Sequence, residues 1–244
     1  MRIATSRSRL LARTVLAAVA GGLLAQASWG ASANRPIPAA ERERLSKTLD
    51  RARAVIPAPP KPFALVKDQS SREVAGEAEW DDGAKRWDAP GSAALERVFE
   101  IPESETDTAE TIPLEVRLWI NRGASVPYAL QSVGAAPTVV PHAGALAVEV
   151  STIPAAAESR MMPQSPAQIA NALTVMRIYV GPDALVTFLR DAVERQSEAS
   201  WSPPPDGKPG DARWIVVELY GGKRAVEDLA ARVDASKLRR LLSR

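Results

Sequence analysis

Between residues 114 and 120 the chain alternates without a break: Leu114, Val116, Leu118 and Ile120 are aliphatic, with Glu115, Arg117 and Trp119 between them. A period of two is that of a strand with one buried face. Similar strand-forming runs are "FALVK" from Phe63, "REVAGEAEW" ending at Trp80, "ALERVFEI" ending at Ile101 and "ALAVEVS" from Ala145. No helical stretch separates the runs between Phe63 and Asn121, so antiparallel pairing is expected of them.

A helical period appears in three places. In "AERERLSKTLDRARAVI" Leu45, Leu49, Ala52 and Ile56 share a face, Glu41 and Glu43 fall in the first turn, and Arg51 and Arg53 lie near the end. That charge order suits the helix dipole and predicts a helix over Ala39–Val55. The prolines of "PAPPKP", residues 57–62, stop it and run on as an extended spacer. "VMRIYVGPDALVTFLRDAVER" (175–195) and "IVVELYGGKRAVEDLAARVDA" (215–235) each read as strand, glycine turn and amphipathic helix. Their apolar positions coincide, Val186 with Val226, Leu189 with Leu229 and Val193 with Val233.

The expected fold is α+β: a mostly antiparallel sheet of about six or seven strands with two or three helices packed on one face. A doubly wound parallel sheet needs more helices than the pattern supplies. Residues 122–144 read as an irregular apolar loop or one short helix near Tyr128, residues 152–170 as a long connection, and 202–211 as an exposed loop.

The first residues change the cellular reading. Arg2, Arg7, Arg9 and Arg13 accompany an apolar run at 14–25, and small residues follow up to Ala33. That is the layout of a secretory signal, with cleavage expected after Ala33 or, as second choice, after Ala27. The run is too short to remain as a membrane span. The expected organisation is therefore a signal at 1–33, a helix and proline-rich spacer at 34–62, and one α+β domain at 63–244.

Charge then reads differently. The chain has 31 basic and 29 acidic residues, but the signal holds four arginines and no acid, leaving 27 against 29, a net charge of −2. The basic excess belongs to the signal, which removes the main support for a nucleic-acid partner. With no cysteine there is no disulfide, thiol nucleophile or thiolate metal site, so stability must come from packing.

Two stretches carry candidate chemistry. In "EWDDGAKRW" Trp80 and Trp87 flank Asp82-Gly83, a hairpin signal that would pack the two indoles across the strand pair. Indoles stack on sugar rings and paired carboxylates cleave glycosidic bonds, so Trp80, Trp87, Asp81 and Asp82 form a candidate ligand surface. The same aspartates also suit a plain turn. The second stretch, Gly221-Gly222-Lys223-Arg224, puts two cations at a helix start, where the dipole favours an anion. It lacks the spacing of a nucleotide-binding loop, and Glu227 and Asp228 already neutralise it.

Other chemistries are poorly supported. His142 is the lone histidine and no Gly-x-Ser-x-Gly elbow is present, which argues against a serine hydrolase and against catalytic zinc. Acids from Glu100 to Glu110 lack the spacing of a calcium loop. The basic, leucine-containing C-terminus "SKLRRLLSR" reads as a helix end whose leucines close the core.

The expectation is thus an exported, periplasmic or secreted, non-enzymatic binding or interaction module of the bacterial envelope, without cofactor or metal and without stable membrane insertion. The alternatives are a carboxylate-dependent hydrolase of envelope polysaccharide and an anion-binding domain using Gly221 to Arg224.

Overall fold

The computed structural model describes residues 32–102, 112–126, 136–152, 172–202 and 207–243. The signal through residue 31, the helix expected near Tyr128, nearly all of the connection at 152–170 and the acids from Glu103 to Glu110 lie outside the described residues.

Among the described residues ten strands and four helices follow one another as β1 (Ser32–Pro36), α1 (Ala39–Val55), β2 (Ala64–Val74), β3 (Glu77–Asp81), β4 (Arg86–Trp87), β5 (Ala93–Glu100), β6 (Leu114–Ile120), β7 (Thr138–Val140), β8 (Leu146–Ser151), β9 (Leu173–Val180), α2 (Asp183–Glu194), β10 (Ile215–Gly222), α3 (Lys223–Ala231) and α4 (Ala235–Arg239). The fold is α+β. Seven strands form one sheet in the order β2-β5-β6-β10-β9-β8-β7, with every neighbouring pair antiparallel. A second sheet of three strands has the order β1-β3-β4.

The alternation in β6 sorts the two faces as its sequence predicts. Leu114, Val116, Leu118 and Ile120 are buried, and they join Ile178 and Val180 of β9 and Ile215, Val217 and Leu219 of β10 in the larger core. Leu45, Leu49 and Ala52 of α1, Val226 and Leu229 of α3 and Leu238 of α4 close that core from above. Burying a leucine in such a layer contributes about 2 kcal/mol each. The N-terminal helix is therefore an integral part of the core.

Three helices share this face, but the helix of the first strand-turn-helix unit does not. Leu185, Leu189, Ala192 and Val193 of α2 pack on the opposite face, against Leu146, Val148, Tyr179, Val216 and Trp214. The two or three helices expected on one face are α1, α3 and α4, and α2 is a further helix on the other face. β9 and β10 run antiparallel as neighbours, with Val180 opposite Ile215. Their helices consequently leave from opposite ends of the sheet; independently of that, α2 and α3 cover opposite faces.

Two local expectations also shift. "REVAGEAEW" is not one strand: β2 ends at Val74 in the large sheet, and β3 starts at Glu77 in the small one. The loop before β10 is not wholly exposed either, because Pro209 and Gly210 are buried. Gly91 N–H donates to Pro209 O at 2.8 Å, and a Cβ on Gly210 would stand 2.8 Å from the Glu41 carbonyl. Only glycine lets the loop approach the first turn of α1 so closely.

Candidate functional site

The three-stranded sheet brings the first set of candidate residues together. Trp80 of β3 pairs directly with Trp87 of β4, and their rings meet edge to face at 5.2 Å and 78°. An edge-to-face pair places the positive rim of one ring on the negative face of the other. Both indoles are half-buried. The expected hairpin is formed, and its turn is capped by Asp81, whose Oδ1 accepts from Gly83 N–H at 2.8 Å and Ala84 N–H at 2.9 Å.

Strand β1, which the sequence pattern did not reveal, adds a cation to this surface. Its residues pair with β3 from Ser32 opposite Asp81 to Pro36 opposite Glu77. Arg35 donates to Asp82 Oδ1 at 2.5 Å, and its guanidinium lies 4.8 Å from the Trp80 ring centre. Trp80 Nε1–H reaches the same oxygen at 3.3 Å and Lys85 lies 3.6 Å from it. Desolvation opposes the charge on Asp82, but Arg35 above all, with Trp80 and Lys85, holds its carboxyl below the usual aspartate range. Asp81 and Asp82 thus have separate tasks: one fixes the turn and the other binds Arg35.

The glycine turn before α3 is differently occupied. Gly221 and Gly222 belong to β10 and pair with Thr174 and Leu173 of β9. A Cβ on Gly221 would come within 3.0 Å of Pro113 O, so this glycine permits the close passage of the chain entering β6. Lys223 N–H donates to Ala172 O at 2.9 Å. Its Nζ lies 2.5 Å from Glu149 and 3.0 Å from Glu227. Burial disfavours the ammonium, yet the two carboxylates outweigh that cost and raise its pKa. Arg224 is exposed. The turn reverses the chain and starts a helix, with its lysine engaged by acids of this protein.

A third constellation was not apparent from the sequence. On the face that α2 covers, Glu96 of β5, Arg117 of β6, Glu218 of β10 and Arg177 of β9 form one cross-strand row of alternating charge, each directly opposite the next. Arg117 donates to Glu96 at 2.8 Å, to Glu115 at 2.7 Å and to Glu218 at 3.0 Å. Arg177 donates to Glu218 at 2.5 Å and to Ser125 O at 2.8 Å, while its guanidinium stands 5.3 Å from the Trp119 ring. Tyr179 hydroxyl donates to the same Ser125 carbonyl at 2.6 Å. Desolvation pushes the Tyr179 phenol well above its ordinary pKa, so it is a neutral donor at physiological pH. The four row residues lie far apart in sequence, and no short motif could have signalled them.

The remaining candidates are structural. His142 Nε2 lies 3.2 Å from Ala230 O at the end of α3, and the other ring nitrogen is buried. Trp201 is half-buried, edge to face against Trp214 at 5.2 Å. Among the described residues no group of three or more acids, histidines or cysteines is placed to hold a metal ion, and no helix is long and apolar enough to cross a membrane.

No protein-family model, curated protein or solved structure matches this chain.

The function must accordingly be argued from the chemistry of its own surfaces. The hairpin presents two indoles and one arginine on a small sheet separate from the main core, an arrangement suited to stacking and hydrogen bonding. The charged row is internally compensated and serves the register of the sheet.

Proposed function

We propose that the protein is an exported, non-enzymatic binding or interaction module of the bacterial envelope, and that the β1-β3-β4 sheet is its ligand surface. The observation that carries this reading is the Trp80–Trp87 pair with Arg35 over Trp80. Aromatic side chains with a polar handle supply contact area at little entropic cost, which is why they are enriched in binding surfaces. The commitment of Asp81 to the turn and of Asp82 to Arg35 supports a binding role over an acid–base one.

Export rests on the arginine-rich start and the short apolar run. The pairing of β1 favours cleavage after Ala27: cleavage after Ala33 removes Ser32 and Ala33, the partners of Asp81 and Trp80. Intact mass of the exported protein decides between the two sites.

The ligand surface is tested by native mass spectrometry of the protein recovered from the exported fraction, as wild type and as Trp80→Ala and Trp87→Ala. A bound species present in the wild type and lost in both variants supports the surface. A species retained equally in both variants overturns it. Release of soluble glycan from envelope polysaccharide, lost in Asp81→Asn or Asp82→Asn, would replace this reading with a hydrolase.

A further inference from the structure

The small sheet has two faces of opposite character. In an antiparallel ladder directly opposed residues share a face, and successive residues alternate. Trp80 stands opposite both Ala33 and Trp87, and Arg35 opposite Ala78, so the two indoles and the guanidinium lie on one side. Glu77, Glu79 and Asp81 of β3 fall on the other, opposite Pro36, Asn34 and Ser32, and Arg86 joins them there. Asp88 N–H donates to Glu79 O at 2.9 Å, which continues the ladder and adds a further acid to that reverse side.

The indole face carries the opposite sign. Two cations, Arg35 and Lys85, approach a single carboxylate oxygen, Asp82 Oδ1, at 2.5 Å and 3.6 Å, which leaves one positive charge in excess within this cluster. Both cations remain accessible, the Arg35 side chain being 45% exposed and that of Lys85 72%. A guanidinium has five N–H donors, and the bond to Asp82 engages one of them. β4 ends the sheet, so Trp87 has a neighbouring strand on one side only. The result is an open platform, with two apolar rings bordered by cationic donors.

We propose that this platform binds an acidic oligosaccharide, with its sugar rings stacked on the indoles and its carboxylates held by Lys85 and Arg35. The assignment rests on the reading of the small sheet as the ligand surface. Charge complementarity selects an anion, and carboxylates match the guanidinium and ammonium donors with charge-assisted hydrogen bonds. A bare ion is held weakly at such exposed cations, because water competes for it, so ring stacking must supply the rest. Consecutive rings let several weak contacts act together. The acids of the reverse face repel the same polymer and confine it to the indole side.

Isothermal titration calorimetry of the purified protein tests the assignment with three probes: tri-galacturonate, its methyl ester, which keeps the rings and removes the charge, and adenosine monophosphate. The acidic trimer should bind about tenfold tighter than the ester, and raising the salt concentration should narrow the gap. Lys85→Gln, at an exposed turn position, should weaken the acidic trimer about fivefold, and Trp87→Ala should abolish its binding. Asp82→Asn, which removes the competing carboxylate, should tighten it about threefold, a direction that a merely structural role does not produce. Equal affinity for acid and ester, both lost in Trp87→Ala, overturns the acidic ligand while the tryptophan surface stands. Acid binding unchanged in Trp87→Ala and Lys85→Gln overturns the proposal together with its surface. Failure of both trimers to bind, or adenosine monophosphate binding as tightly as the acidic trimer, overturns the saccharide, and the native mass spectra then decide the surface separately.

Discussion

Glu218 accepts the Nε–H of Arg177 at 2.5 Å across the β9–β10 ladder, with the glutamate side chain only 5% exposed and the arginine 14%. A carboxylate so enclosed is tolerable because Arg117 reaches its other oxygen at 3.0 Å. The row from Glu96 to Arg177 thereby specifies register: slipping one strand by a residue would leave a buried charge facing an aliphatic side chain.

Removing one member of that pair should cost more than removing both. Glu218→Leu leaves Arg177 without its carboxylate and is expected to destabilise by about 3 to 5 kcal/mol, while Glu218→Leu with Arg177→Leu should recover much of the loss. Urea denaturation of the single and double variants measures it. Equal or additive losses would show that the pair does not act as a unit.

The hairpin indoles should be coupled. A double-mutant cycle of Trp80→Ala and Trp87→Ala is expected to return an interaction of about 1 kcal/mol, the usual worth of an edge-to-face pair. A coupling near zero would mean that the rings are merely neighbours.

Asn121 is a further position that local pattern could not reveal. It has a positive φ of 55°, and its buried amide donates to Gly91 O at 2.8 Å and Asp211 O at 2.7 Å and accepts Arg213 N–H at 2.8 Å. Asn121→Ala should destabilise by about 2 to 3 kcal/mol, since these backbone groups lose a buried partner. Asn121→Asp, which presents acceptors to two carbonyl oxygens, should be worse at neutral pH and improve on acidification. Denaturation curves at pH 7 and pH 4 distinguish these outcomes.

Alkaline titration should expose Lys223. Its folded pKa is raised above the usual 10.5 by Glu149 and Glu227. The stabilisation is therefore fully present below the unfolded value and is lost as pH rises through the folded one. The urea midpoint of the wild type should fall more steeply above pH ~10.5 than that of Lys223→Met, in which this component is absent. Identical slopes would remove the ion pair from any role in stability.

What the sequence determined was local. The helix at Ala39–Val55 was legible because its stripe, its end charges and its proline stop agree. The period of β6 and the Asp-Gly hairpin between Trp80 and Trp87 were legible for the same reason, since each is decided by residues within one turn or one strand. Tertiary structure decided the rest. β1 exists because a partner some forty residues away supplies its hydrogen bonds, and the three-residue β7 is too short to carry a strand-length pattern of its own. The face taken by α2 is set by its packing against Leu146, Val148, Tyr179 and Val216, contributed by three different strands. The meeting of Glu96, Arg117, Arg177 and Glu218 depends on strand order across the sheet. Periodicity tells a residue which side of its own strand it occupies; only the pairing of strands tells it which charge it will face.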